Sequence, residues 1–580
     1  MLVQSCRSFL ALLGLTCLSA MAATPVINVE GGAASLRKNI LQQLSISNEK
    51  CKAPLWRLNA HLDAAETEIE VASQALGYYQ LSYDSKLSRD DKCWALDIVL
   101  TPGEPVRVTE LRIDIMGEGK LDPLFQQIYD KPGIKIGNKF HHGKYEALKS
   151  RFESAATAHG YFDSKFVLSR VLVNAAEKTA SIELTYDTGV RYKLGHINIE
   201  QDILNDEFVH RYLTLNSGDY YDTDNLLEVK NLYNASNYYS ATSINTNIET
   251  KHDHEVDVDI GLDKRKRREY SFGAGYATDS GPRILLGFED RYVNRRGHFF
   301  NADITASTTK KEAQAVYTIP MENPAYEFLK IFTGYKKEET ATSLSRKRSV
   351  GSSYTYYQRN KWLQTFALTF EREDSIIGDD PLKTSDLLIP SWTISRTKTD
   401  ANAYPLNGWN LLSRVSGSPQ TLGSDFSFLQ WYNRAKYIWG GKYGRLIVRG
   451  ELGLTQTDNF EDLPASVRYF AGGDASVRGY EYQSLGPTKI DNDGKEVVIG
   501  GNNLLVTSIE YDYRLKKSNW VLATFYDQGN AADDSKIELK HSAGVGVRWI
   551  SPIGPVRLDF AKALDDKRSW AIHVTMGPDL

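Results

Sequence analysis

Arg478 is the residue whose chemistry asks most of the chain around it. It stands in Gly472-Gly473-Asp474-Ala475-Ser476-Val477-Arg478-Gly479-Tyr480, a glycine-rich stretch between segments that alternate apolar with polar residues. A guanidinium keeps its charge and carries five N–H donors, so burying it demands an acid. Asp527, within Phe525-Tyr526-Asp527-Gln528-Gly529, is the first choice for that acid, and Glu510 and Asp512 come next. The alternative is a solvated arginine on an outer loop. Enzyme constellations are missing: the chain has no Gly-x-Ser-x-Gly, Gly-Lys-Ser/Thr or His-Glu-x-x-His. No catalytic residue, cofactor or metal is therefore assigned. His252-Asp253-His254 reads as a solvated turn, because no third ligand lies nearby in sequence.

The elements that position Arg478 begin with a targeting signal. Arg7 precedes the apolar run Phe9-Leu10-Ala11-Leu12-Leu13-Gly14-Leu15, and Ala20-Met21-Ala22 supplies small residues before a cleavage point. This is the pattern of a secretory signal peptide, residues 1–22, cut after Ala22 or one residue later. Cys6 and Cys17 leave with it. Cys51 and Cys93 then stay in a compartment that permits oxidation, where a structural disulfide is expected. The net charge of −4 over 580 residues gives no global basic field for nucleic acid.

The first half repeats at a spacing near 80 residues. Gly77-Tyr78-Tyr79, Gly160-Tyr161-Phe162 and Asn237-Tyr238-Tyr239 each close an amphipathic helix. Leu62, Ala65, Ile69, Ala72 and Leu76 recur at helical steps, as do Tyr145, Leu148, Phe152, Ala155 and Ala156, and then Leu226, Val229 and Tyr233. Strands are expected before the helices, at 25–29, 107–116 and 192–200, and two more close each unit. The residue before the aromatic pair lets the chain leave the helix in a left-handed conformation, which glycine and asparagine tolerate best.

After Asp263 the period becomes two. Leu505, Thr507, Ile509, Tyr511 and Tyr513 oppose Ser508, Glu510, Asp512 and Arg514. Leu446, Val448, Leu452 and Leu454 oppose Arg449 and Glu451; Trp570, Ile572, Val574 and Met576 oppose His573 and Thr575. About sixteen such segments fit before Gly577, an even number suited to a transmembrane barrel with apolar residues outward and polar residues inward. The 33 Tyr, 10 Trp and 43 Gly suit strands, girdles and turns. Between Thr457 and Asn503 lies a connection far longer than an ordinary loop, and it holds Arg478. The first strand, near Tyr270 to Ala277, carries Gly273 and Gly275, which remove packing. It is expected to pair weakly with the last, which carries Ile572, Val574 and Met576, so that these five residues mark a lateral seam. Pro578 lacks a ladder donor, which reads either as a short or kinked seam or as a harmless tail. Lys264-Arg265-Lys266-Arg267-Arg268 precedes the first strand and reads either as a solvated linker or as a contact for anionic headgroups.

The signal peptide, the three repeats, the alternating segments and Val477-Arg478-Gly479-Tyr480 together resemble the BamA/TamA superfamily of outer-membrane assembly factors. The resemblance covers nearly all of the mature chain. It implies three α+β POTRA domains (23–103, 104–188 and 189–264) in the periplasm, followed by a 16-stranded antiparallel transmembrane β-barrel (265–580) in the cell outer membrane. It also implies that the loop carrying Arg478 folds into the lumen and that Arg478 pairs with the acid of a Phe-x-Asp-x-Gly motif, matched by Phe525, Asp527 and Gly529. Three repeats look most like the TamA branch, the outer-membrane subunits of the translocation and assembly module, whose partner is the inner-membrane-anchored TamB. That branch implies assistance to the insertion or secretion of unfolded autotransporter-type and other barrel clients, contact with outer-membrane lipid, and a part in phospholipid transport. The alternative is a two-partner-secretion transporter, which passes an unfolded polypeptide through its lumen.

Overall fold

The computed structural model describes residues 24–577, apart from 251, 359, 402–403, 517, 534–535, 552–553 and 567–569. The signal peptide and Pro578 lie outside the described residues. The chain divides into two compact units. One takes residues up to 197 with 216–224 and 246–258; the other takes 198–215, 225–245 and 259–580. The stretch 189–264 contributes to both.

Three small sheets precede the large one. The first combines strand Val26–Glu30, helices Ala34–Gln43 and Leu55–Gln74, and strands Ser82–Arg89 and Trp94–Thr101. Its last strand lies in the middle, parallel to the first and antiparallel to the other. The second repeats the arrangement with Arg107–Met116, Pro123–Asp130, His142–Ala158, Lys165–Asn174 and Thr179–Asp187. The third has the same sheet order, from Lys193–Glu200, Tyr239–Thr246 and Glu255–Lys264, with helices Asp206–His210 and Thr223–Ala235.

Helices cover one face of each sheet, so the middle strand alternates buried residues with half-buried or exposed ones. Trp94, Leu96, Ile98 and Leu100 are buried, as are Ala180, Ile182, Leu184 and Tyr186. Against the second sheet, helix His142–Ala158 buries Tyr145, Leu148, Phe152, Ala155 and Ala156. Phe125 meets Tyr161 edge-on with ring centres 5.3 Å apart, and Phe152 lies 5.2 Å from Tyr186. Gly77, Gly160 and Asn237 all adopt left-handed backbone, with φ of 83°, 81° and 67°. A disulfide joins Cys51 to Cys93 across 42 residues.

From Arg268–Ala277 to Trp570–Met576, sixteen strands form one antiparallel sheet in which sequence neighbours are also hydrogen-bonded neighbours. Such a meander follows from alternating segments joined mostly by short turns. Its outer face is apolar: Phe272, Phe366, Trp392, Ile509, Val545 and Trp570 are exposed. Trp439, Tyr443, Tyr513, Trp520 and Trp549 are exposed at strand ends on one rim, where Trp520 pairs with Trp549, an arrangement that suits an aromatic girdle. No helix among the described residues is long and apolar enough to cross a membrane, which says nothing of strands. Among the described residues no ladder joins the first strand to the last. A hydrogen bond from Val574 N–H to Thr278 Oγ1 (2.6 Å) crosses that seam.

Several side chains of the basic run before the barrel have partners in the protein, although most of the run is exposed. Lys264 Nζ lies 2.7 Å from Asp202, and Arg267 Nε lies 2.8 Å from Asp290. Arg265 donates to Asn237 Oδ1.

Candidate functional site

The connection between the eleventh strand, Gly444–Thr457, and the twelfth, Asn503–Arg514, carries Arg478 against the inner wall. Inside this connection the structure adds a small hairpin, Thr488–Ile490 with Glu496–Val498, that the alternation did not reveal. Val477 and Tyr480 sink into an apolar cluster with Ala471, Leu485, Leu504, Val506, Ala531 and Ala563. Gly479 has φ +97°, and a Cβ there would stand 3.0 Å from the backbone nitrogen of Ala563, so glycine suits this close approach to the wall.

Arg478 is 6 % exposed and Asp527 is fully buried. Arg478 Nε donates to Asp527 Oδ2 at 2.8 Å and Nη2 to Oδ1 at 2.9 Å, a two-pronged pair. Its backbone N–H also donates to Asp527 Oδ2, at 3.1 Å. Nη1 reaches Glu510 Oε2 at 2.6 Å and Asp559 Oδ2 at 3.2 Å. The guanidinium lies over the Phe525 ring, 3.4 Å from its centre. Ser508 Oγ–H donates to Asp527 Oδ1 at 2.6 Å and orients that carboxylate.

Of the three acids expected for Arg478, the structure brings Asp527 and Glu510 to it and corrects the third. Asp512 is one inward step further along its strand and takes Arg445 instead, whose Nε and Nη2 lie 3.0 and 2.9 Å from Oδ2. Inward residues on a strand are nearly 7 Å apart. Of these two acids Arg478 reaches Glu510 only, while Arg548 lies between them, with Nε 4.0 Å from Asp512 Oδ1. Arg445 is also the register partner of Asp512.

Sequence reasoning missed Asp559 and Arg548 as members of this cluster. Arg548 Nη2 donates to Glu510 Oε1 at 2.9 Å, and Nη1 donates to Asp559. Arg478 and Arg548 thus share both Glu510 and Asp559. The signal available was the inward position of both residues in alternating segments, Ala543 to Trp549 and Arg557 to Phe560. Arg449, read only as an inward polar residue, reaches the loop's backbone: it donates to Ala475 O and, at 2.5 Å, to Ser476 O. Gly479 N–H donates to His573 Nε2 on the last strand at 3.0 Å. Asp474 N–H donates to Asp279 Oδ2 at 2.6 Å, in the turn after the first strand. Burial pushes the Asp279 carboxyl up to about 6, and the Asp474 carboxylate adds to the shift. Tyr480 O–H donates to Asp565 Oδ2 at 3.3 Å.

Of the seam residues, Ile572 and Met576 face outward and exposed, while Gly273 and Gly275 are half-buried and have no ladder partner on the last strand among the described residues. Asp253 and His254 adopt positive φ in a tight turn.

A sixteen-stranded antiparallel barrel, with a long loop fixed on a buried arginine–acid cluster inside it, defines a class of outer-membrane-type barrels. A model of the Omp85 superfamily domain matches residues 218–578, more than half of the chain. This protein belongs to the Omp85 superfamily. A model described as POTRA domain TamA domain 1 matches residues 26–102, so the first α+β module is a POTRA domain. The chain is 22 % identical over 498 residues to the outer membrane protein assembly factor BamA of Neisseria meningitidis serogroup B (strain ATCC BAA-335 / MC58), covering 75 % of this chain and 62 % of that protein. It is 27 % identical over 195 residues to BamA of Nitratidesulfovibrio vulgaris (strain Hildenborough), covering 31 % of this chain and 23 % of that one. The chain therefore spans less than two thirds of the length of these relatives. The crystal structure of BamA from Haemophilus ducreyi lacking POTRA domains 1–3 shares the fold, with a TM-score of 0.68, 18 % identity, and coverage of 81 % of this chain and 99 % of that one.

Proposed function

We propose that this protein is a TamA-type outer-membrane subunit of a translocation and assembly module, helping barrel proteins of autotransporter and related types into the membrane. It performs no chemical step. Three periplasmic POTRA domains, 23–103, 104–188 and 189–264, hold a TamB-like partner or an unfolded client by pairing along open sheet edges. The barrel, 265–580, then opens between its first and last strands, and client strands pair there before release into lipid. The same module contributes to phospholipid movement to the outer membrane.

The observation that carries this reading is the seam: two terminal strands that, among the described residues, have no ladder between them in an otherwise continuous sixteen-stranded sheet. Unpaired backbone groups facing lipid are costly, so a seam of this kind is ready to accept a foreign strand. The TamA-type match over residues 26–102 favours this branch over two-partner secretion.

The test is a disulfide lock in native membranes. One cysteine replaces Tyr276 and the other replaces Met576, and client assembly is assayed before and after reduction. Loss of assembly that reduction restores is the expected result. Normal assembly by the locked protein removes lateral opening from the mechanism and favours passage of an unfolded polypeptide through the lumen.

A further inference from the structure

One residue of the lumen loop touches both sides of the seam. Asp474 lies four residues before Arg478. Its backbone N–H donates to Asp279 Oδ2 at 2.6 Å, in the hairpin turn that follows the first strand. Its carboxylate bonds His573 Nδ1 on the last strand. The second nitrogen of that imidazole, Nε2, accepts from Gly479 N–H, so Nδ1 carries the ring proton and donates it to Asp474. His573 is 4 % exposed, which keeps water from competing for these bonds. One step away, Val574 N–H donates to Thr278 Oγ1, next to Asp279.

We propose that Asp474 is a latch: it ties the first hairpin to the last strand and holds the seam closed while the loop stays seated in the lumen. This rests on the lateral-opening reading and adds what controls it. The placement of Asp474 is inherited from both sides along the loop. Arg449 grips the carbonyls of Ala475 and Ser476 directly after it. The cluster around Arg478 fixes the loop two residues further on. A client or partner that displaces the loop tip must withdraw Asp474 from Asp279 and His573 together, so loop displacement and seam opening become a single event. Since no ladder joins the terminal strands among the described residues, loss of this bridge shifts the seam toward its open population.

The test reads the seam directly and needs no client. Nitroxide labels are placed on cysteines replacing Ile284, on the second strand, and Leu564, at the end of the fifteenth, in the full chain in vesicles of phosphatidylethanolamine and phosphatidylglycerol. Pulsed electron–electron resonance gives the distance distribution across the seam. Losing one hydrogen bond to a charged group corresponds to about a tenfold change in an equilibrium. Asp474→Ala and Asp279→Ala are each expected to raise the long-distance population about tenfold. Asp474→Asn, which keeps an oxygen for His573, stays near the parent protein. Retained heat-modifiable mobility on gels shows that each barrel is folded. If Asp474→Ala does not fold, Asp279→Ala carries the test, since it touches neither Arg478 nor its acids. Distributions that superimpose on the parent overturn the latch. A widened distribution in a protein that still assembles clients when locked at 276 and 576 keeps the latch and discards the gate.

Discussion

The second α+β module and the barrel wall bury opposite kinds of residue. In the module, Phe125, Phe152, Tyr161 and Tyr186 pack ring against ring, and charged side chains stay outside. In the wall, Arg445, Arg478 and Arg548 are buried with Asp512, Asp527 and Asp559, while Ile509, Tyr511, Leu522 and Tyr526 on the same strands are exposed on the outer face. Both regions show the same alternation along their strands. Its sense reverses because a sheet covered by helices hides apolar residues from water, whereas a barrel in lipid turns them outward. The two interiors therefore fail differently. An apolar core loses stability in proportion to what is removed. An ionic core is left with stranded charge when one partner goes.

Three experiments probe that contrast. Arg478→Ala strands Asp527 and deprives Glu510 and Asp559 of a partner. It is expected to destabilise the seated loop by roughly 3–5 kcal/mol. Limited proteolysis of residues 458–502 should speed up, and client assembly should fall further than barrel abundance on a blot. Phe152→Ala opens a cavity in the second module and should cost about 3 kcal/mol there. Thermal unfolding of that module followed by near-ultraviolet dichroism checks it, and the heat-modifiable barrel band should be unchanged. The smallest shift in stability is expected from Arg478→Met combined with Asp527→Leu. This removes one charge of each sign and fills the space with apolar atoms, so unfolding should stay within about 1 kcal/mol of the parent. If the double variant is as unstable as Arg478→Ala, the cluster stabilises the barrel in its own right. If it is stable yet inactive, the cluster serves the position of the loop.

Much of this was legible in the residues. Gly77, Gly160 and Asn237 announced three left-handed helix exits, and all three have positive φ. Leu505 to Arg514 announced which side of a strand turns inward, and Ser508, Glu510 and Asp512 lie on the buried side. Asp527 could be matched to Arg478 because a buried guanidinium needs an acid. Asp512 could not be told from Glu510, because period two fixes the face of a residue and says nothing of its height along the barrel axis.

What the chain by itself determined is local: helical and strand periods, turn residues, the need of Arg478 for an acid, and a compartment where Cys51 and Cys93 can pair. Only the tertiary structure decided which acid meets which arginine, that Arg548 and Asp559 join the cluster, and that Asp474 lies between Asp279 and His573, residues 195 and 99 positions away. The physical reason is register. Each of these contacts depends on the stagger between strands distant in sequence, and a strand's own residues carry no record of that stagger until the sheet curls round and the loop is seated.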